Sequence, residues 1–231
     1  MPDRSQSVAS LVLDHSECAE VFQKHRIDFC CKGHLSIADA AASRGVDVDA
    51  LLGELDRAIA ARGGLRDADP RELTTPRLVA HIVSRHHEYL RRAIPFVRGL
   101  ASKVGRVHGD HNPKLRDLDV AVSALGDALL THLDEEENVL FPLLTGGDAS
   151  PARTAAPLAA MQSEHLEVAA LLDRIHAASD DFTLPDWACN SYRTLFAELR
   201  ALERDILTHV HLENHVLAPR FGGVAPQGAQ A

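Results

Sequence analysis

Apolar residues recur at spacings of three and four along most of the chain, and alternating patterns typical of strands are absent. In the C-terminal part, four segments open with a polar residue followed by proline, as helix N-termini often do, with Thr183 ahead of Pro185 the least regular case. The predicted helices are 76–103, 113–144, 151–178 and 185–218. Four consecutive helices with short connections favour an antiparallel four-helix bundle.

The N-terminal part contains shorter helical patterns, over 8–24, 37–42 and 48–61, the last with Asp47 as its N-cap. The following segment, RGGLRDADPR over 62–71, combines two glycines, charges and a proline and interrupts the apolar periodicity, which indicates a linker. We therefore expect an all-α protein with two domains. A short-helix domain covers residues 1–62, and the bundle covers residues 72–221.

Two titratable residues lie on the apolar stripe of the second bundle helix. Spacings of four and three place the following residues on one core-facing side: Leu118, Val122, Leu125, Leu129, His132, Glu136, Val139 and Leu143. The fourth helix repeats this order 77 residues later, with His209 and Glu213 in the equivalent positions. The sequence thus predicts two His-x-x-x-Glu pairs inside the bundle.

The first and third helices also correspond, with an offset of 78 residues, and each has one histidine on its stripe, His87 and His165. The bundle is therefore predicted to be a duplicated helix pair related by a pseudo-two-fold axis. Every helix contributes one inward imidazole, and two helices also contribute an inward carboxylate.

Burying Glu136 and Glu213 without counter-charge costs several kcal/mol each, and no Lys or Arg lies on the stripe. A bound cation removes this cost. Four neutral imidazoles and two carboxylates suit two divalent metals, each with two nitrogens and two oxygens if both glutamates bridge. This donor set favours iron, then manganese, with zinc also compatible. The alternative, hydrogen-bonded core histidines without metal, suits one isolated histidine better than four at equivalent positions.

The chain has 14 histidines, and we expect the others outside the ligand set. Four fall off the stripe and are assigned to the surface or to a layer behind the ligands: His81, His86, His211 and His215. Because His86 precedes His87, the register stays ambiguous by one residue. His108 and His111 are expected at the bundle end, and His108 reaches the metals only if the first helix breaks early.

Two acidic residues flank His165, and either could orient its imidazole through the second ring nitrogen. They are Glu164 and Glu167. Solvated charges on the outer face of the helix are the alternative interpretation.

Composition and charge exclude several classes of protein. The chain is 45% hydrophobic and 25% charged, which is typical of a globular protein. With a net charge of −9 and no basic tract, nucleic acid is an unexpected partner. Neither a membrane-length apolar run nor a secretory signal is visible, so we expect a cytoplasmic protein with no membrane partner.

Four cysteines are too few for a disulfide framework, and two of them, Cys30 and Cys31, are adjacent. A disulfide between neighbours strains the intervening peptide, so both should remain thiols. We expect Lys24 and Lys32 to favour the reactive thiolate form and the pair to act in thiol or redox chemistry. Two inert core thiols are the alternative, and this is the role expected for the remaining cysteines, Cys18 and Cys189.

Three bundle motifs resemble the hemerythrin-like family of non-haem di-iron domains: HLDEEENVLFP over 132–142, SEH over 163–165 and HVHLEN over 209–214. The segment FQKHRIDFCCKG over 22–33 resembles the short dicysteine domain that precedes such a bundle in the repair-of-iron-centres proteins. The resemblance covers essentially the whole chain, and the combination of both parts is more specific than the bundle motifs alone.

The resemblance implies an oxo- and carboxylate-bridged pair of non-haem irons. Glu136 and Glu213 would bridge them, and the terminal ligands would be His87, His132, His165 and His209. It further implies repair of iron–sulfur clusters damaged by nitric oxide or oxidative stress, with the damaged proteins as partners and iron supplied from a labile centre.

Two other functions fit the same ligands. One is an enzyme that reduces nitric oxide at the iron pair, with Cys30 and Cys31 as thiol reductants or relays. The other is a carrier or sensor of nitric oxide or dioxygen, which would give the dicysteine segment no task. The oligomeric state is left open, a homodimer included.

Overall fold

The computed structural model describes residues 2–62, 69–147 and 149–223, and these ranges are predominantly helical. Within them, the β structure is limited to an isolated bridge between Ser7 and Ser36. No helix of these ranges combines the length and the apolar character needed to cross a membrane. The all-α prediction is confirmed.

Four short helices form the N-terminal part: α1 (Val8–Asp14), α2 (Cys18–Lys24), α3 (Ile37–Ser43) and α4 (Val48–Ala61). Asp47 caps α4 as expected, since its carboxylate accepts a hydrogen bond from the Ala50 N–H. The single helical pattern predicted over 8–24 is wrong. The backbone leaves the helical conformation at His15, at the start of the polar run His15-Ser16-Glu17, and the chain turns into α2.

The bundle consists of four long helical stretches, three of which contain a π-helical turn. The first runs through α5 (Thr75–Ile82), a π turn (Val83–His87) and α6 (Glu88–His108). The second comprises α7 (Lys114–Glu135), a π turn (Glu136–Leu140) and α8 (Phe141–Thr145). The third is α9 (Pro151–Ser179), and the fourth comprises α10 (Asn190–Leu212), a π turn (Glu213–Leu217) and a 3₁₀ turn (Ala218–Phe221). Helix α7 packs against both α6 and α9, and α10 packs against α6.

The fourth helix begins at Asn190 and not at the predicted residue 185. Pro185 instead begins a turn, closed by a hydrogen bond from the Ala188 N–H to its carbonyl. Cys189 follows as the extended N-cap residue of α10 and is exposed, so its assignment to the core is wrong.

The π turns shift the apolar register by one residue. Val139, predicted to face the core, is 61% exposed, whereas Leu140 and Leu144 are buried. In the π turn the Phe141 N–H bonds to the carbonyl of Glu136, five residues back, so one extra residue is accommodated before the next inward position. Spacings of three and four do not reveal such an insertion.

The N-terminal helices and the bundle share one continuous apolar core. Phe22 and Phe29 of the N-terminal part belong to the same buried cluster as Leu199 and Ile206 of α10. Of the predicted linker, Gly63 and Gly64 lie outside the described residues. On its far side, Arg71 pairs with Asp14 of α1 at 2.9 Å.

Candidate metal centre

The structure brings all six predicted ligands together inside the bundle, and the π turns position three of them. His87 is the last residue of the first π turn, and Glu136 and Glu213 are the first residues of the other two. His132 and His209 lie four residues before these glutamates, one helical turn away. His165 projects from α9. All six residues are at most 2% exposed.

Both glutamates reach imidazoles from other helices. Glu136 Oε2 lies 3.4 Å from Nε2 of both His87 and His132 and 3.7 Å from Nε2 of His209. Glu213 Oε2 lies 3.1 Å from His165 Nε2, and its Oε1 lies 2.8 Å from His209 Nε2. The six side chains thus form one contiguous cluster.

This cluster divides into two sets of four, and each set contains both glutamates. One set adds His87 and His209, the other adds His132 and His165, and within each set one ligand atom per residue lies within 4.8 Å of the others. Shared carboxylates and separate imidazole pairs are the arrangement expected of two ions bridged by both glutamates.

The donor atoms themselves favour a bound cation. Five of them have no hydrogen-bond partner within the described residues: His132 Nε2, His165 Nε2, Glu136 Oε1, Glu136 Oε2 and Glu213 Oε2. Two further nitrogens, Nε2 of His87 and of His209, face each other at 3.3 Å. Buried polar atoms are rarely left unpaired, so inward lone pairs of this number fit a cation.

Without metal, the histidines must supply the positive charge. Burial alone would lower the pKa of His209, but Glu213 and Glu136 outweigh it and raise this pKa to about 10. Burial would raise the pKa of Glu213, but His209 and His165 hold it well below its usual range. Glu213 therefore stays ionised beside a protonated His209, and a bound metal ion would supply that positive charge instead.

Three of the four imidazoles are anchored through Nδ1. His87 Nδ1 lies 3.0 Å from Glu137 Oε1, and His132 Nδ1 lies 2.7 Å from Glu164 Oε2. His165 Nδ1 donates to Asn214 Oδ1 at 3.1 Å. A hydrogen bond at Nδ1 fixes the ring and leaves the Nε2 lone pair for a metal. Glu164 thus orients His132 and not its neighbour His165, contrary to one of our expectations.

The remaining acidic candidate, Glu167, is exposed. The anchors Glu137 and Asn214 were missed in the sequence, although the repeat contains a signal for them. Glu137 directly follows Glu136 in the second helix and orients His87 of the first. Asn214 directly follows Glu213 in the fourth helix and orients His165 of the third. His209 differs, because its Nδ1 has no hydrogen-bond partner among the residues described, and the His86 ring stacks on it at 6.0 Å.

The other histidines lie outside the two sets. His86 is buried, and its Nδ1 lies 2.9 Å from Asp205 Oδ1. His108 ends α6 beside Trp187, so the early break that would bring it to the metals does not occur. His81 is exposed, whereas His211 is buried and its Nδ1 donates to the Phe29 carbonyl.

The dicysteine segment lies against the ligand layer. Cys31 Sγ is 3.8 Å from the backbone oxygen of His165, and both cysteines are at most 2% exposed. Asn214 connects the two regions, since its amide nitrogen donates to the Cys30 carbonyl at 3.1 Å while its oxygen accepts from His165. The segment predicted as a linker therefore does not separate the thiols from the bundle, because they already lie against it.

The expectation that nearby lysines favour a thiolate is not met at Cys30. Its hydrogen bond with Cys31, its burial and the neighbouring Asp28 carboxylate all raise the pKa of the Cys30 thiol well above its usual value. Lys24 instead pairs with Glu54 at 2.7 Å, and Lys32 is exposed.

Comparison with known proteins agrees with both parts of this structure. Residues 78–221 match the family described as Hemerythrin HHE cation binding domain. Residues 4–59 match a second family, described as Domain of Unknown function (DUF542). The four-helix part of the chain is thus a hemerythrin-like domain.

Full-length relatives define the family more closely. The chain is 34% identical over 220 residues to the iron-sulfur cluster repair protein YtfE of Yersinia pseudotuberculosis serotype O:1b (strain IP 31758), covering 95% of this chain and 98% of the relative. The protein of the same name from Yersinia pestis (strain Pestoides F) is 33% identical with the same coverage. The chain belongs to the hemerythrin-like iron–sulfur cluster repair family.

Proposed function

We propose that this protein repairs iron–sulfur clusters damaged by nitric oxide or oxidative stress by supplying iron from a centre of two iron ions. Its substrates would be damaged iron–sulfur proteins in the cytoplasm. The main support is the set of inward atoms on His132, His165, Glu136 and Glu213 that lie close together yet form no hydrogen bond within the described parts of the chain. The relatives named above extend this support to repair.

His87 and His209 would hold one iron and His132 and His165 the other, with Glu136 and Glu213 shared by both. Bound there, iron would supply Lewis-acid and one-electron chemistry. The protein's contribution is to fix the imidazoles through Glu137, Glu164 and Asn214 and to exclude water.

The two domains would have different roles. The bundle, residues 72–221, would store the iron, and the dicysteine domain, residues 1–62, would give thiol or redox assistance through Cys30 and Cys31. This division rests on the contact of Cys31 Sγ with the His165 backbone and on the hydrogen bonds of Asn214 to both regions.

Mössbauer spectroscopy of the iron-loaded protein before and after mixing with an iron–sulfur protein lacking its cluster, with inorganic sulfide supplied, tests the proposal. We expect the bundle signal to fall as the cluster signal grows. The Cys30→Ser/Cys31→Ser variant should keep its iron and transfer it more slowly, whereas Cys189→Ser, which alters an exposed thiol at the other end of the bundle, should match the unmodified protein.

Retention of all iron in the presence of the acceptor would refute iron donation. Rapid consumption of nitric oxide without iron transfer would instead support the reductase function, and reversible binding alone would support a carrier or sensor.

The Cys30→Ser/Cys31→Ser pair tests the dicysteine domain better than deletion of residues 1–62. Phe22 and Phe29 pack in the same core as α10, so removal of the domain would uncover apolar surface on the bundle. The serine pair changes only two sulfur atoms.

A further inference from the structure

We propose that Asp28, Cys30 and Cys31 form a third metal site, which takes a single thiophilic divalent cation. One carboxylate oxygen and the two sulfurs lie within 4.8 Å of one another. None of these residues belongs to the two histidine and glutamate sets, so the site is separate from the bundle centre.

The spacing of the donors suits one ion. The two sulfurs are 3.4 Å apart, and Cys30 Sγ lies 3.2 Å from Asp28 Oδ1. With metal–sulfur bonds of about 2.3 Å and metal–oxygen bonds of about 2.0 Å, tetrahedral donors lie roughly 3.5 to 3.8 Å apart. Binding therefore requires the two sulfurs, and the Cys30 sulfur and the Asp28 oxygen, to separate by only a few tenths of an ångström, while the Cys31 sulfur and the Asp28 carboxylate already lie within 4.8 Å.

The loop that presents these donors is held in shape by Asp28 itself. Its Oδ1 accepts hydrogen bonds from the backbone N–H groups of Cys30, at 3.1 Å, and Cys31, at 2.8 Å. The carboxylate therefore lies beside both sulfurs in the folded chain, and little conformational entropy is lost when a cation binds.

The end of the fourth bundle helix fixes the same loop from the other side. His211 Nδ1 donates to the Phe29 carbonyl at 3.1 Å, and His215 Nε2 and the Asn214 amide both donate to the Cys30 carbonyl, at 2.8 and 3.1 Å. These bonds use main-chain oxygens. The Asn214 amide also lies 4.0 Å from Cys31 Sγ, a long contact that leaves the sulfur lone pairs available for a metal.

The donor set determines the class of cation. Two thiolates select thiophilic ions such as Fe²⁺, Co²⁺ and Zn²⁺ over Mg²⁺ and Ca²⁺. Three protein donors leave a fourth position open, unlike the closed four-ligand sites that hold structural zinc. Binding of one divalent cation to the two thiols forms two metal–sulfur bonds and releases two protons.

The position of this site next to the bundle centre bears on iron transfer, and this part of the inference rests on the proposed function. The site lies next to the backbone of the ligand His165, where Cys31 Sγ contacts the carbonyl oxygen. Iron delivered from the bundle would meet thiolate ligands here, which resemble the cysteine ligands of an iron–sulfur cluster more than the imidazoles do.

Anaerobic titration of the iron-loaded, full-length protein with Co²⁺ tests the site. Only a sulfur-bound cobalt ion gives thiolate-to-metal charge-transfer absorption, so cobalt that enters the imidazole and carboxylate sites does not contribute to this band. We expect the band to saturate at one Co²⁺ per chain. It should be absent in Cys30→Ser/Cys31→Ser and unchanged in the control Cys189→Ser.

Asp28→Asn tests the third donor. Asparagine keeps the Oδ1 that accepts the two backbone N–H groups, so the loop should stay folded while the charge is lost. Mutation of residues that only hydrogen-bond to metal ligands changes metal affinity by about 10- to 100-fold. Loss of the charge on a ligand itself should therefore weaken Co²⁺ binding by about tenfold or more. Circular dichroism and the iron content check that each variant is folded.

Absence of the band in unmodified protein with reduced thiols would overturn the proposal, as would its persistence in the double serine variant. Unchanged affinity in Asp28→Asn would reject the three-donor site. A positive cobalt titration without iron transfer to a client would refute the proposed function and leave the site intact, so the two failures can be told apart.

Discussion

Among the residues that the structure describes, the bundle buries histidine beside glutamate in two places. One is the centre around Glu136 and Glu213, and the other lies where α9 and α10 meet the N-terminal helices, around His176 and Glu203. His176 and Glu203 are each 8% exposed, so both clusters remove titratable groups from water. They differ in how the polar atoms are satisfied.

The polar atoms of the His176 cluster are hydrogen-bonded to other side chains of the protein. His176 Nε2 lies 2.7 Å from Glu203 Oε1, and its Nδ1 lies 3.0 Å from Asp181 Oδ1. The other Glu203 oxygen accepts a hydrogen bond from the Gln23 amide at 2.9 Å. In the metal centre, both oxygens of Glu136 have no such partner within the described ranges.

The comparison shows that residue type and burial do not distinguish a buried ion pair from a metal site. What distinguishes a metal site is a group of buried polar atoms that face one another without hydrogen-bond partners. The His176 cluster therefore serves as an internal control, with the same chemistry but no place for a cation.

The largest expected effect is the loss of iron on neutralising the shared carboxylates. Glu136→Gln/Glu213→Gln removes both charges and the oxygens common to the two sets, so we expect both irons to be lost. Glu203→Gln changes the same residue type in the other cluster and should retain them. Metal analysis and the iron absorption spectrum provide the measurement, and full iron content in the double variant would reject the site.

Removal of iron should destabilise the protein, because the buried charges of Glu136 and Glu213 then depend on protonated imidazoles alone. A ligand present at a thousand times its Kd stabilises the folded state by about 4 kcal/mol. Calorimetry of iron-free and iron-loaded samples should show the higher Tm for the loaded protein. The same shift should appear in His176→Gln, because the polar atoms of that cluster are hydrogen-bonded to protein atoms. An equal or higher Tm without iron contradicts this prediction.

Much of this comparison could be made from sequence, because duplication made the pattern visible. His132 and Glu136 recur as His209 and Glu213 at equal spacing, and the structure brings these residues together. His176 is not part of that repeat, and its cluster could not be predicted from sequence. Glu203 lies on another helix and Gln23 lies in the N-terminal domain.

The π turns could not be predicted, and they explain where the periodicity fails. An apolar spacing rule assumes 3.6 residues per turn, so the extra residue in Glu136–Leu140 moved Val139 outward. Burial of the cysteine pair was one of two alternatives offered by the sequence, but its position was not predicted. The docking of Cys31 against His165 depends on contacts between residues more than 130 positions apart.

The anchors of the imidazoles offer a finer test within the centre. Asn214→Ala removes the acceptor for His165 Nδ1 and should weaken iron binding by about 10- to 100-fold, chiefly at the iron that we propose His132 and His165 hold. Glu137→Ala should do the same for the iron that we propose at His87. Iron release to a chelator measures both, and release kinetics equal to those of the unmodified protein in either variant would show that its anchor has no such role.

The smallest expected effect concerns the His176 cluster and has a defined dependence on pH. Burial would lower the pKa of His176, but hydrogen bonding and charge from Glu203, with Asp181, raise it despite the opposing charge of Arg26. A folded pKa above the unfolded value means that this stabilisation is fully present below about pH 6.5 and is lost as pH rises through the folded pKa.

His176→Gln should therefore lower the free energy of unfolding by about 1 kcal/mol in mildly acidic solution, the usual value of a hydrogen bond, and by less in alkaline solution. Urea unfolding of variant and unmodified protein over a pH series, both in the same iron state, measures the difference. His111→Gln, a change at an exposed histidine beside Trp187, should show no such trend. A difference that stays constant or grows with pH would mean that His176 is not charged in the folded protein, and the cluster would then be a neutral hydrogen-bonded network beside an ionic metal centre.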